Sequence, residues 1–184
     1  MTRALPGFST PAVSFEQPFE MLHACHERVQ RSLNLLERIV AHVDAHGHDA
    51  QSRAAVADVL RYFDLAAPHH HEDEERHVFP LLLAHAPSAA VRQAVATLQA
   101  DHARMTAQWA ALRPRLLAWQ QEGAAPLTEA ERTQVRDFAA LYASHIPLEE
   151  TVAYPAARAL LDTPPLTGAQ ADMGAEMAAR RRNG

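Results

Sequence analysis

Residues 70–80 run His70, three residues, Glu74-Glu75, three residues, Phe79-Pro80. Residues 145–155 run His145, three residues, Glu149-Glu150, three residues, Tyr154-Pro155. An upstream block repeats as well: Leu22, Ala24, His26, Arg28 and Val29 match Leu98, Ala100, His102, Arg104 and Met105. His26 precedes His70 by 44 residues, and His102 precedes His145 by 43. The chain is thus two similar halves, each offering one isolated His and one His-x-x-x-Glu. Such a duplication predicts two like substructures about an approximate two-fold axis.

Those substructures are helical by pattern. Leu22, Val29, Leu33, Leu36 and Val40 recur at helical spacing and predict a first helix over 15–46, stopped by Gly47. A second helix is expected over 49–84 on Val56, Leu60 and Phe63, bent or interrupted at Pro68. Ser88 is an N-cap candidate for a third. Its stripe runs Val91, Val95, Leu98, His102, Met105, Trp109, Leu112 and Leu116, with Pro114 a kink candidate and Gly123 its end. Thr128-x-x-Glu131 reads as a capping box for a fourth, with Pro147 and Pro155 disturbing its last third. No strand signal stands out. The expected fold is all-α: an up-down-up-down four-helix bundle over 15–162, made of two pseudo-symmetric hairpins. Residues 1–14 are an irregular arm, and 163–184 a tail with a short helix near 169–180 and a solvated end at Arg180–Arg182.

Composition bounds the function. At 184 residues and 48% hydrophobic, the chain can bury a real core. A net charge of −5 argues against nucleic acid. No segment approaches a membrane span or a secretion signal, and the single Cys25 fits a reducing compartment, so a cytoplasmic protein is expected. The outlier is twelve His residues.

His70 and Glu74 share a helix face, as do His145 and Glu149. With His26 and His102 they fall on stripes that should face the core. A buried carboxylate there needs a partner or a proton. Two cations would satisfy four imidazoles and two carboxylates together. This donor set suits iron, zinc or manganese over calcium or magnesium. The repeat also discriminates among neighbours. Ser144 matches His69 and Ile146 matches His71, so only His70 has a His counterpart; His23 matches Gln99 and is read mainly as polar packing. Glu75 and Glu150 are equally well read as partners of the ligand imidazoles or as a solvated face. Arg28 and Arg104 are read as surface-paired. His42, His46, His48, His77 and His85 are read as surface or loop residues, and Cys25 as a buried small side chain.

On these motifs, over about residues 18–161, the chain resembles the hemerythrin-like, HHE cation-binding domain family. The resemblance implies a four-helix bundle around a non-haem di-iron centre, with iron ligands at His26, His70, Glu74, His102, His145 and Glu149. Oxygen carriers of that family have a second His four residues further on in the third helix and an Asp on the fourth. Here those places hold Thr106 and Glu149. The site is poorer in nitrogen and leaves more positions open. Iron–sulfur repair members carry an extra N-terminal cysteine-bearing domain, for which residues 1–17 are too short. The expected function is binding or sensing of dioxygen, or of another small diatomic or peroxide ligand, at two irons, with zinc or manganese as alternative metals. The alternatives are a di-iron redox enzyme (ferroxidase, peroxidase-like or nitric-oxide reducing) and a metal-responsive regulatory protein.

Overall fold

The computed structural model describes residues 17–85, 88–163, 166 and 168–183. The expected arm at 1–14, the start of the first helix at Phe15, and Pro87 lie outside them. The described residues are helical, with no strand among them. Five helices follow in order: α1 (Pro18–His46), α2 (residues 50–85), α3 (Ala89–Trp119), α4 (residues 129–161) and α5 (Ala169–Asn183).

The helix ends follow local chemistry. Gly47 leaves α1 with φ of 77° and donates its N–H to Val43 O at 2.8 Å, a geometry open to a residue without Cβ. Asp49 caps α2 by accepting from Ser52 N at 2.7 Å, while Ser52 Oγ accepts from Asp49 N at 2.9 Å. Ser88 caps α3 through Val91 N, and Thr128 and Glu131 form the expected capping box of α4. The α3 helix ends at Trp119, and Gly123, with φ of 72°, turns the loop beyond it rather than closing the helix itself.

Prolines do not break these helices. Instead, α2 widens into π turns at Tyr62–Ala66 and Glu74–Val78, and α4 does so at Glu149–Ala153. Each π turn ends two residues before a proline: Pro68, Pro80 and Pro155. Proline has no N–H to continue the ladder and crowds the turn before it. One inserted residue absorbs that defect, as Ala67, Phe79 and Tyr154 donate five residues back to Tyr62, Glu74 and Glu149. Pro114 and Pro147 lie within ordinary α-helix.

The buried apolar residues fall into two clusters with a polar layer between them. One holds Val29, Leu36, Phe63, Leu112, Trp119 and Phe138. The other holds Phe19, Leu22, Phe79, Leu98, Tyr154 and Met177. Along α1 the order is second cluster, His26, first cluster; along α2 it reverses through His70 and Glu74. Along α3 and α4 it reverses again, through His102 and then His145 and Glu149. The α1 helix packs on α2 and α4, and α3 packs on α2 and α4.

The tail is part of this core. Met173 and Met177 of α5 are buried in the second cluster. Arg180 is not a solvated end: its guanidinium pairs with the buried Asp73 carboxylate and lies 3.0 Å from His77 Nε2. Apolar residues on only one side of a helix that short give too weak a pattern to show docking. Met177→Ala should therefore destabilise the protein by about 2–5 kcal/mol, the range for a truncated core methionine. Urea unfolding checks this; a loss below that of the exposed Leu117→Ala would mean that α5 does not pack as described.

Candidate metal centre

The polar layer is built by four helices. The α1 helix supplies His26, α3 supplies His102, and α2 and α4 each supply a His and a Glu one turn apart. All six side chains are buried, and Glu74 and Glu149 have no exposed surface at all. Both glutamates open a π turn, so the widened turn and its proline begin where the carboxylate must reach inward.

The geometry is two-fold. Glu149 turns Oε2 to His26 Nε2 at 3.0 Å and Oε1 to His145 Nε2 at 2.9 Å. Glu74 turns Oε1 to His70 Nε2 at 3.6 Å and Oε2 to His102 Nε2 at 3.4 Å. Each carboxylate therefore spans both halves, one oxygen on each side. The rings of His26 and His70 have centroids 4.9 Å apart, and so do those of His102 and His145. His26, His70, Glu74 and Glu149 each offer a donor atom within 4.8 Å of the others.

The outer nitrogens are held by further carboxylates. His26 Nδ1–H donates to Glu150 Oε1 at 2.8 Å, and His102 Nδ1–H donates to Glu75 Oε1 at 3.0 Å. His145 Nδ1–H donates to the buried Asp101 at 3.4 Å, and Arg104 holds Asp101. An ionised carboxylate can only accept, so these contacts place a proton on Nδ1 and turn Nε2 inward, where it can hold a proton or a cation. Of the two readings of Glu75 and Glu150, the structure selects the imidazole partner. Gln99 Nε2 donates to Glu75 at 2.9 Å, and the matching His23 lies 2.8 Å from Glu150 Oε1, so His23 buttresses the cluster rather than merely packing nearby.

Electrostatics show what the layer lacks. Burial and the neighbouring Glu149 push the Glu74 carboxyl up to about 7. Burial opposes charge on His102, but the facing Glu149 and Glu74 outweigh it and raise the imidazole to about 10. Burial also opposes charge on Glu149, but His102, His145 and His26 hold it well below the carboxylate range. Protons thus stand in for positive charge. Even so, Glu74 Oε2, both Glu149 oxygens, His102 Nε2 and His145 Nε2 are buried without a properly directed hydrogen bond. Convergent, under-satisfied lone pairs on imidazole and carboxylate fit a pair of cations.

The Hemerythrin HHE cation binding domain profile matches residues 17–157. The chain belongs to that family. It is also similar to an uncharacterised protein of Haemophilus influenzae, 31% identical over 169 residues that cover 92% of each chain. Among the described residues of this HHE protein, no helix is long and apolar enough to cross a membrane.

Sequence reasoning missed three neighbours. Tyr154 was visible only as the aromatic of an aromatic-Pro pair. Its hydroxyl donates to Glu74 Oε1 and lies 3.2 Å from His26 Nε2, whereas its counterpart Phe79 has no hydroxyl. Asp101 was hidden because it matches Cys25, which is buried as expected. His71, set aside for lack of a His counterpart, stacks on His102 with ring centroids 4.1 Å apart. Burial and the neighbouring His102 press its pKa well below the ordinary imidazole value. His77, expected at the surface, is 11% exposed beneath α5, and His42 bonds to Asp49 at 2.9 Å. A cavity of about 400 Å³ opens beside His71 and His102, with Phe63, Trp109 and Tyr142 on its walls.

These shifts fix a pH dependence. The His102 value lies above the 6.5 of an ordinary imidazole, so its stabilisation is complete below pH 6.5 and is lost as pH climbs towards about 10. The Glu74 value lies above 4.5, so ionising it weakens the fold as pH climbs from 4.5 through about 7. Both act in one direction. Above about pH 7, where the depressed His70 and His71 imidazoles are neutral folded or unfolded, the melting temperature of the metal-free protein should fall towards about pH 9, while affinity for a divalent metal rises over that range as protons are displaced. Metal-free stability that increases across that window would contradict the protonation pattern.

Proposed function

We propose that this HHE protein is an up-down-up-down four-helix bundle that holds two iron ions at His26, His70, Glu74, His102, His145 and Glu149. The observation that carries the reading is the spanning geometry of Glu74 and Glu149, each with one oxygen in either half. The reversal of apolar and polar order from helix to helix supports the topology. His26 and His70 would hold one ion and His102 and His145 the other, with Glu74 and Glu149 shared between them. Glu150, Glu75 and Asp101 orient three of the imidazoles. Imidazole and carboxylate donors also accommodate zinc or manganese, and iron is preferred because the family's resemblance implies it.

Six protein ligands leave two such ions with open positions, and a di-iron pair would bind dioxygen or a related diatomic or peroxide ligand there. The chain's own contribution is to keep the layer dry between two apolar clusters, to fix the tautomers, and to place the Tyr154 hydroxyl against Glu74 and His26. Binding or sensing without turnover is the reading preferred here. A single buried Cys25, which can form no disulfide within the chain, agrees with residence in a reducing compartment such as the cytoplasm.

One observation favours a second reading. The cavity beside His71 and His102 is larger than a diatomic molecule requires, which suits a redox enzyme acting on a further reactant.

Anaerobic ferrous reconstitution followed by air, watched by optical absorption with elemental analysis, tests both. Two irons per chain and a charge-transfer band that reverses on degassing are expected. Irreversible oxidation with multiple turnovers on peroxide, nitric oxide or excess ferrous iron would select the enzyme. His70→Ala and His145→Ala should each lower metal content; unchanged content in both would remove the metal reading altogether.

A further inference from the structure

The repeat makes the two metal positions equal in their six core residues, yet the side chains around them differ. His71 is the largest difference on the His102 side. Its counterpart is Ile146, a partly buried side chain packed on the first apolar cluster. An apolar residue therefore suffices for packing at the equivalent place, and the imidazole needs another reason.

His71 sits one residue beyond His70 and so points about 100° further round α2, towards α3. Its ring lies nearly parallel to that of His102, at 17°, and its centroid is 6.2 Å from that of His145. Each of His71, His102 and His145 offers a nitrogen within 4.8 Å of the other two. The outer nitrogens of His102 and His145 are already committed to Glu75 and Asp101, so their Nε2 atoms are the ones available to this group. Those two Nε2 atoms are buried without a directed hydrogen bond. Three imidazole nitrogens converging at this spacing are the donor set of a bound cation.

We propose that His71 is a seventh metal ligand, completing a three-imidazole position with His102 and His145. The inference rests on the metal reading above and deepens it. The two positions are then unequal. The His71 position has one nitrogen more than the His26–His70 position and therefore binds nitrogen-preferring divalent ions first. Its third imidazole also borders the cavity, so an incoming ligand on that side meets both His71 and His102.

The test is titration of the metal-free full-length protein with cobalt(II), read by visible absorption and by X-ray absorption of the loaded form. His71→Ala and His71→Phe are compared with wild type, with His69→Ala as a control from the same His run. The Phe variant keeps an aromatic face against His102 but has no nitrogen. The expected result is two equivalents in wild type with distinct spectra. Both His71 variants should lose the tighter class by roughly a hundredfold, at or above the loss typical of removing an outer partner of a ligand. Full affinity and an unaltered spectrum in His71→Phe would overturn the proposal, leaving His71 a stacking residue. X-ray absorption of the wild-type cobalt form decides independently of how the variants fold: five imidazoles shared between two metals support the seventh ligand, and four overturn it. Failure of wild type to bind cobalt would instead overturn the metal reading on which this one stands.

Discussion

Two glutamates with no exposed surface, set opposite one another at the middle of a helical core, are the constraint around which this molecule is arranged. Burial penalises their charge, and their mutual repulsion adds to the penalty. The chain answers with four imidazoles from four helices. Each helix offers about one turn to a layer this thin, and here each of the four gives one imidazole from that turn. The cost of the layer is met by the two apolar clusters that close it above and below, and these exclude water from its carboxylates. A core built only for stability would have leucines in these six places. Polar groups whose satisfaction depends on an added ion make sense only where the ion is used.

The helices, their caps and the six central residues were legible because each rests on spacing within one segment. Ser88, Thr128 and Gly47 act through residues three or four away. His70 and Glu74 meet because one helical turn separates them. The duplication then joined the two halves, since a residue type kept twice in one register is hard to explain by local packing. Glu75 and Glu150 were legible only in part: sequence showed the pair but not whether either touches an imidazole, which depends on the rotation of α1 and α3 against α4 and α2.

What was not legible comes from breaks in the repeat. Asp101 stands where the other half has Cys25, Tyr154 where it has Phe79, His71 where it has Ile146, and Asp73 where it has Leu148. A reading that trusts the duplication discounts such positions, and these are the places where the structure puts chemistry. The docking of α5 was equally hidden. Arg180 finds Asp73 and His77 about a hundred residues away in sequence, and Met173 and Met177 join an apolar cluster drawn from each of the other helices. The π turns fall in the same class. Proline marks a defect in the ladder, but whether the chain kinks, stops or inserts a residue depends on which side chains must stay aimed at the core. Here Glu74 and Glu149 must, and the helix widens at each of them.

The breaks are not scattered. They surround a symmetric centre with unlike neighbours. On the His26 side, the Tyr154 hydroxyl meets both an imidazole and a carboxylate, and the outer carboxylate is backed by His23. On the His102 side, the corresponding ring is the apolar Phe79, the outer carboxylate is backed by Gln99, and a buried Asp101 accepts from His145 Nδ1–H. Fixed negative charge close to an imidazole makes its inner nitrogen a better donor, while a hydroxyl on a bridging oxygen draws density away from it. The two oxygens of Glu74 therefore differ in basicity, because only Oε1 accepts from the Tyr154 hydroxyl. A duplication first gives two equal positions. Substitution around them, with the ligands themselves unchanged, is enough to give them different affinities and different tasks, and a small ligand that approaches from the cavity meets only one of the two.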